Sequence, residues 1–128
     1  MTHSIIPADR LHTTSHEWLQ LLPDGNYAIG ISNAGQAMLG DIVFCGDAKI
    51  GQSLKAGDVC AVVESVKAAS DVHMPIDGTV LAFNSAAIDD NPTVLNTNAY
   101  DTWIIKIAPL DTVNLEQLMN PTDYIKHI

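Results

Sequence analysis

Short apolar runs separated by turn residues fill most of this chain, and they predict strands. Residues 17–22 and 27–31 are two such runs, and Pro23-Asp24-Gly25-Asn26 between them predicts a hairpin. Residues 10–14 are β-prone and fit an edge strand ahead of it. Further strands are predicted over 41–45, 58–63, 72–75, 79–83 and 103–107. Helical signals are fewer. Ser32 suits an N-cap for a short helix over 34–39, which Gly40 ends. Leu115 and Leu118 lie at helical spacing within 111–119, with Asp111 as the cap. Asn120 and Pro121 fit the cap and first residue of a last helix over 122–126. Residues 46–57 are turn-rich, and 86–98 is a loop with room for one helical turn.

Many short strands with frequent turns indicate a sandwich or barrel-like domain, mainly β with small helices. There is a hint of an internal repeat. Gly40-Asp41-Ile42-Val43 and Gly78-Thr79-Val80 each follow a turn and open a strand. Each precedes a loop and a second strand, at Asp58 and at Trp103. A chain of 128 residues fits one domain, spanning 1–128.

Composition narrows the partners. At 47% hydrophobic residues the chain can bury a core. No apolar run approaches the roughly 20 residues of a membrane span. The first ten residues lack the pattern of a signal peptide, so a cytoplasmic protein is expected. The formal charge of −9 disfavours nucleic acid and anionic membranes. It favours partners with basic faces, met in brief, steered encounters. Cys45 and Cys60 match no close metal or redox spacing and are expected as reduced core residues. The five histidines form no metal motif. Ser15-His16-Glu17 names the residue types of a catalytic triad, but triad members converge in space rather than adjoin in sequence.

One stretch organises the rest: Glu64-Ser65-Val66-Lys67-Ala68-Ala69-Ser70-Asp71. Apolar extended runs lead into it and out of it. Nothing in it is Gly or Asn, so a tight hairpin with positive φ is not expected, and a slightly longer loop built on a type I turn fits better. Lys67 would then stand at a hairpin tip between small neighbours, with Glu64 and Asp71 at the bases of the strands. Two acids favour its charged form, so it is a poor nucleophile and a good target for another enzyme. On spacing alone it is an ordinary exposed lysine.

The residues themselves say more. That octapeptide resembles the lipoylation site of the glycine cleavage H-protein family. So do Ser15-His16-Glu17-Trp18 near the start, Leu39-Gly40-Asp41-Ile42-Val43, Pro75-Ile76-Asp77-Gly78-Thr79-Val80, and Trp103-Ile104-Ile105-Lys106-Ile107. Order and spacing match over nearly the whole chain. The resemblance implies a barrel-sandwich hybrid of the lipoyl and biotinyl type with C-terminal helices. It implies a carrier without catalysis of its own, with lipoate attached to Lys67 by a lipoate ligase or a lipoyl or octanoyl transferase. The arm would carry the aminomethyl group of glycine from the PLP-dependent glycine decarboxylase (P protein) to the tetrahydrofolate-dependent aminomethyltransferase (T protein). The dihydrolipoyl dehydrogenase (L protein) would then reoxidise it. The matching arm-docking positions are Ser15, Glu17 and Asp71, and Glu64 and Asp71 would also guide the modifying enzyme.

Biotinyl domains place methionines about their lysine, whereas Lys67 lies between Val66 and Ala68. Lipoyl domains of 2-oxo-acid dehydrogenases usually carry Asp before it. Both details favour the H-protein branch. The chain departs from that branch where Ala34 and Met38 replace helix histidines, where Asp101-Thr102 replaces glycines, and at Phe44-Cys45-Gly46-Asp47. The alternative is a divergent H-like paralogue that carries or relays lipoate for another complex.

Overall fold

The computed structural model describes residues 6–110 and 113–128. Its strands lie in two antiparallel sheets. The larger runs β1 (Leu11–His12), β2 (Glu17–Leu21), β3 (Tyr27–Ile31), β9 (Ile105–Pro109), β8 (Gly78–Phe83) and β5 (Ser53–Leu54), in that order. The smaller runs β4 (Ile42–Gly46), β6 (Val59–Ser65) and β7 (Ala69–His73). Between the sheets, Leu19, Ile29 and Ile107 share one apolar cluster with Ile42, Val63 and Val72. Each such side chain, fully buried, contributes roughly 1.5–3 kcal/mol.

The predicted repeat corresponds to two strand pairs on different sheets. β4 pairs with β6, and β8 pairs with β9. Each pair breaks register in its first strand, between Ile42 and Phe44 in β4 and between Val80 and Ala82 in β8. A bulge there exposes one extra apolar residue in each, Val43 and Leu81.

Local chemistry explains the elements around the hairpin of β2 and β3. Trp18 is buried and pairs across the sheet with Gly30. A Cβ on Gly30 would stand 2.4 Å from the indole, so only glycine leaves room for the ring. The Trp18 indole N–H donates to the Ala99 carbonyl at 3.1 Å, and the Arg10 guanidinium covers its face at 4.6 Å. α1 (Asn33–Leu39) begins where the Ser32 hydroxyl accepts from Gly35 N–H at 3.0 Å. It ends at Gly40, whose φ of 82° suits a residue without a side chain.

Several expectations need correcting. The strand after the lysine begins at Ala69, not Val72. A short strand, β5, lies in the stretch read as turn-rich; two residues give too little pattern to show. Residues 86–98 carry more helix than one turn: α2 (Ser85–Ile88) and α3 (Val94–Thr97), with a 3-10 turn following at Ala99–Asp101. Buried Ile88 and Leu95 anchor them, so packing overrides the loop-like composition. The last strand starts at Ile105, not Trp103. No helix forms over 113–119, where Met119 bridges to His12 instead. That bridge satisfies the backbone of the β1 edge, and Asp111 lies outside the described residues. The last helix, α4 (Pro121–His127), has the expected Asn120 cap and leading proline.

His12 is fully buried on β1, 2.8 Å from the Tyr100 hydroxyl and stacked on Tyr124 at 4.0 Å. Burial first, then Arg10 and His16, push its pKa down to about 4. The folded state thus binds this proton less readily than the unfolded chain. The resulting stability is complete above pH ~6.5 and is lost as pH falls toward 4. Urea unfolding at pH 7 and pH 4.5 should show a loss of about 1–3 kcal/mol beyond that of His12→Phe. An equal pH dependence in the two proteins would show that His12 is not the responsible group.

Candidate functional site

The stretch singled out from the sequence forms the hairpin joining β6 and β7. Glu64 pairs with Ala69, so only Ser65 to Ala68 make the turn. Ser65 organises it: its N–H donates to the Ala68 carbonyl at 2.8 Å, and its hydroxyl oxygen accepts from Lys67 and Ala68 N–H, both at 3.2 Å. No residue of the turn has positive φ. The serine side chain closes the turn that Gly or Asn would close in a tight hairpin.

Lys67 is exposed at the tip. Its stem lies across Gly40, where an added Cβ would come within 3.3 Å of Cε. Its ammonium donates to the Met38 carbonyl at 3.1 Å, in the last turn of α1. That turn has no basic residue of its own, so Lys67 supplies the cation the helix end favours. The corner beneath is fastened by Asn96. Its carbonyl oxygen accepts from Ile42 N–H at 2.9 Å, and its amide donates to the Gly40 carbonyl and to Gln36, both at 2.9 Å. Val66 N–H donates to the Asp41 carbonyl at 3.0 Å and ties the tip to the same corner.

A cavity of about 350 Å³ opens beside this corner. Ile31, Leu39, Met38, Val63 and Val72 give it apolar walls. Ser15, His16, Glu17 and Asp71 add polar groups. A second cavity of about 580 Å³ lies beyond Thr14, Ser15 and Glu17, which border both. The structure thus brings Ser15, Glu17 and Asp71 together. Asp71 is exposed and faces Val62 across the ladder, so it lies well down β7 rather than at the hairpin base with Glu64. Glu64 is exposed outside the cavity lining.

Glu17 is only 2% exposed. The hydroxyls of Thr13 and Ser15 donate to its Oε1, the latter at 2.6 Å. His73 N–H donates to Oε2 at 3.0 Å, with His73 Nδ1 3.2 Å away. Both carboxylate oxygens are therefore engaged. Ser15 and His16 lie in a turn rather than in a strand, and His16 has φ of 74°. Trp18 is core, while Trp103 is half-buried under Lys106 at 4.6 Å. Cys45 and Cys60 are free and buried. Among the described residues no three metal-ligating side chains cluster.

His73, Thr13, Asn96 and the Met38 carbonyl went unnoticed in the sequence. Only the fold brings them to the site, and no spacing signal marks them. The arrangement suits a covalent arm carrying an apolar chain. It offers a free amine with small neighbours, an apolar slot beside it, and carboxylates in the slot.

Comparison with known proteins agrees. The family model described as glycine cleavage H-protein matches residues 10–128. The glycine cleavage system H protein of Bordetella pertussis is 46% identical over 119 residues, covering 93% of this chain and 94% of that protein. The one from Shewanella loihica is 44% identical over 122 residues, with 94% of each chain covered. A crystal structure of a glycine cleavage system H protein from Mycobacterium marinum superposes with a TM-score of 0.84. It is 34% identical and covers 94% of this chain and 97% of that one.

Ser65→Ala tests how the tip is built. It strips Lys67 and Ala68 N–H of their acceptor and should cost about 1 kcal/mol. Amide exchange at 67 and 68 should accelerate while β4 and the rest of β6 stay protected. Unchanged exchange at those two amides would show that the serine does not hold the turn.

Proposed function

The chain belongs to the glycine cleavage H-protein family, and from that premise we propose that Lys67 is the point at which its lipoate is attached. The protein is a lipoate-carrying shuttle of the glycine cleavage system and a non-catalytic subunit of it. Its partners are the P, T and L proteins and a lipoate ligase or lipoyl or octanoyl transferase. The observation that carries the assignment is the exposed Lys67 ammonium on the hairpin tip, bonded only to the Met38 carbonyl among the described residues, where Met38 itself lines the apolar slot.

When attached, the lipoyl group supplies a dithiolane that takes up and passes on the aminomethyl group of glycine. The rest is the work of this chain's residues. Lys67 leaves the Met38 carbonyl, loses a proton and attacks the activated acyl carbon its modifying enzyme brings, so that the amide bond forms as the bond to the activating group breaks and that group departs with the enzyme. Ser65 keeps the tip in one conformation for that enzyme, and Glu64 offers it an exposed carboxylate. The slot walls Ile31, Leu39 and Val63 shield an apolar chain from water. Asp71 holds a cationic amine directly. Glu17 keeps Ser15 and His73 in place and adds its charge from below. Nothing in the slot argues for another complex, and relatives at 42–46% identity over nearly the whole chain bear the H-protein name. One domain over 1–128 and a cytoplasmic setting complete the proposal. Two free cysteines suit a reducing compartment. No helix among the described residues is long and apolar enough to cross a membrane.

Co-expression with a lipoate ligase should add one lipoyl group by intact mass, and Lys67→Arg should abolish it, since Arg keeps the charge but offers no primary amine. Lipoate mapped to Lys49, Lys55, Lys106 or Lys126 would overturn the assignment. A separate comparison divides the two cavity acids. Asp71→Asn and Glu17→Gln should both speed release of ammonia and formaldehyde from the loaded protein, by several-fold at low salt. Only Glu17→Gln should also lower the urea midpoint, because its amide opposes donors on a buried site. Release rates equal to wild type would mean the arm does not dock there.

A further inference from the structure

A chain of buried polar groups joins the C-terminal helix to the wall of the slot, and its direction can be worked out. Gly35 N–H can only donate, and it donates to the Ser32 hydroxyl oxygen at 3.0 Å. Ser32 is fully buried, so its own proton needs an acceptor. The shortest contact on offer is the Tyr124 hydroxyl oxygen, at 2.6 Å, while the Tyr100 hydroxyl, which also stands near Ser32, already has His12 Nε2 as its partner at 2.8 Å. Tyr124 must then send its proton onward, and His16 Nδ1 lies 2.6 Å away. Nδ1 is thereby an acceptor, and the imidazole carries its single proton on Nε2. A second proton on Nδ1 would point at the tyrosine proton.

The neighbours of His16 agree with an uncharged ring. His127 on α4 lies 5.7 Å away, His12 on β1 stacks against Tyr124, and Arg10 stands beyond it. Glu17 on β2 and Asp71 on β7, which share the slot, favour the charged form. Burial first, then His127, lower the pKa of His16, and Glu17 opposes them. The position of this ring gives its charge a consequence. His16 lines the same slot as Glu17 and Asp71. An imidazolium there would cancel one of the two carboxylates and repel a cationic amine.

We propose that Tyr124 is a positioning residue of the slot: it accepts from Ser32, donates to His16 Nδ1, and so keeps His16 uncharged beside Glu17 and Asp71 while a cationic arm docks. The proposal rests on the lipoyl-carrier reading above, and it deepens that reading by giving the C-terminal helix a part in holding the cargo. Tyr124 touches neither the arm nor Lys67; it acts through His16.

Two measurements test it. In unmodified protein, nitrogen NMR of the imidazoles should find His16 as the Nε2–H tautomer at pH 7, titrating below the ordinary 6.5. In Tyr124→Phe, which keeps the ring and its stacking, that titration should move back up. An Nδ1–H tautomer in the wild type, or an unmoved titration in the variant, overturns the proposal. The second measurement uses lipoylated protein. Intact mass should show both proteins taking one lipoyl group at Lys67, which the tip alone governs. After loading by the glycine decarboxylase, Tyr124→Phe should release ammonia and formaldehyde several-fold faster near pH 6, with the gap closing at pH 8. Equal release across that range overturns the proposal. Absence of lipoate on Lys67 would overturn the attachment site instead, and the NMR result on unmodified protein would still stand.

Discussion

A buried carboxylate sets the shape of this molecule where it matters. Glu17 belongs to the six-stranded sheet, and His73 to the three-stranded one. The bonds from His73 to Glu17 Oε2 therefore cross the seam between the sheets, and Glu17 borders both cavities there. A charge so deeply buried costs several kcal/mol to desolvate and is tolerated only when fully bonded. Four donor groups meet that requirement, and meeting it fixes the 13–17 turn, β2 and β7 relative to one another. Removing any of them leaves a buried charge short of partners, which costs more than the bond itself contributes. The slot walls are thus held by a polar requirement that apolar packing could not impose.

The tip is built on the opposite logic. Lys67, Glu64 and Asp71 are exposed, and the turn that carries Lys67 is held by backbone bonds and one serine hydroxyl. Nothing there needs burial to persist. The lysine can therefore leave its carbonyl on α1 without disturbing the core, since an exposed bond of this kind contributes little. Rigidity resides in the corner below, where Asn96 holds Gly40 and Ile42. A mobile side chain on a fixed base suits a carrier that must present one atom to several enzymes in turn. The net charge of −9 acts at longer range, by steering basic partner faces toward it.

What the sequence revealed follows from how local each signal is. The hairpin of β2 and β3, the Ser32 cap, the Asn120-Pro121 helix start and the tip without positive φ are each decided within a few residues. All were legible. The family resemblance pointed to Lys67 and to Ser15, Glu17 and Asp71, and the structure brings those last three to one slot. What stayed hidden depends on contacts between distant segments. Residues 113–119 have helical spacing, but Met119 finds a strand edge at His12, and the bridge replaces the helix. Ile88 and Leu95 sit in a stretch rich in acids and asparagines, and only their burial against the core makes helices of it. Glu17 looks like an exposed strand acid by pattern, because the donors that bury it come from a turn and from β7.

The imidazoles around the slot show how the same demand is met from other elements. α1 contributes Gly35, Met38 and Leu39 to the wall and no histidine. The rings that border the two cavities come from His16, in the turn before β2, and from His73 at the end of β7. Each is fixed at Nδ1, one by Tyr124 and the other by Glu17. The two fixings have opposite sense. Beside a carboxylate that can only accept, His73 Nδ1 is placed to donate. Beside a tyrosine that must donate, His16 Nδ1 is placed to accept. Burial and His127 disfavour positive charge on His16, in the slot itself. With His16 uncharged, the exposed carboxylate of Asp71 has no competing cation on the slot wall, which is the condition a site for a charged cargo has to satisfy.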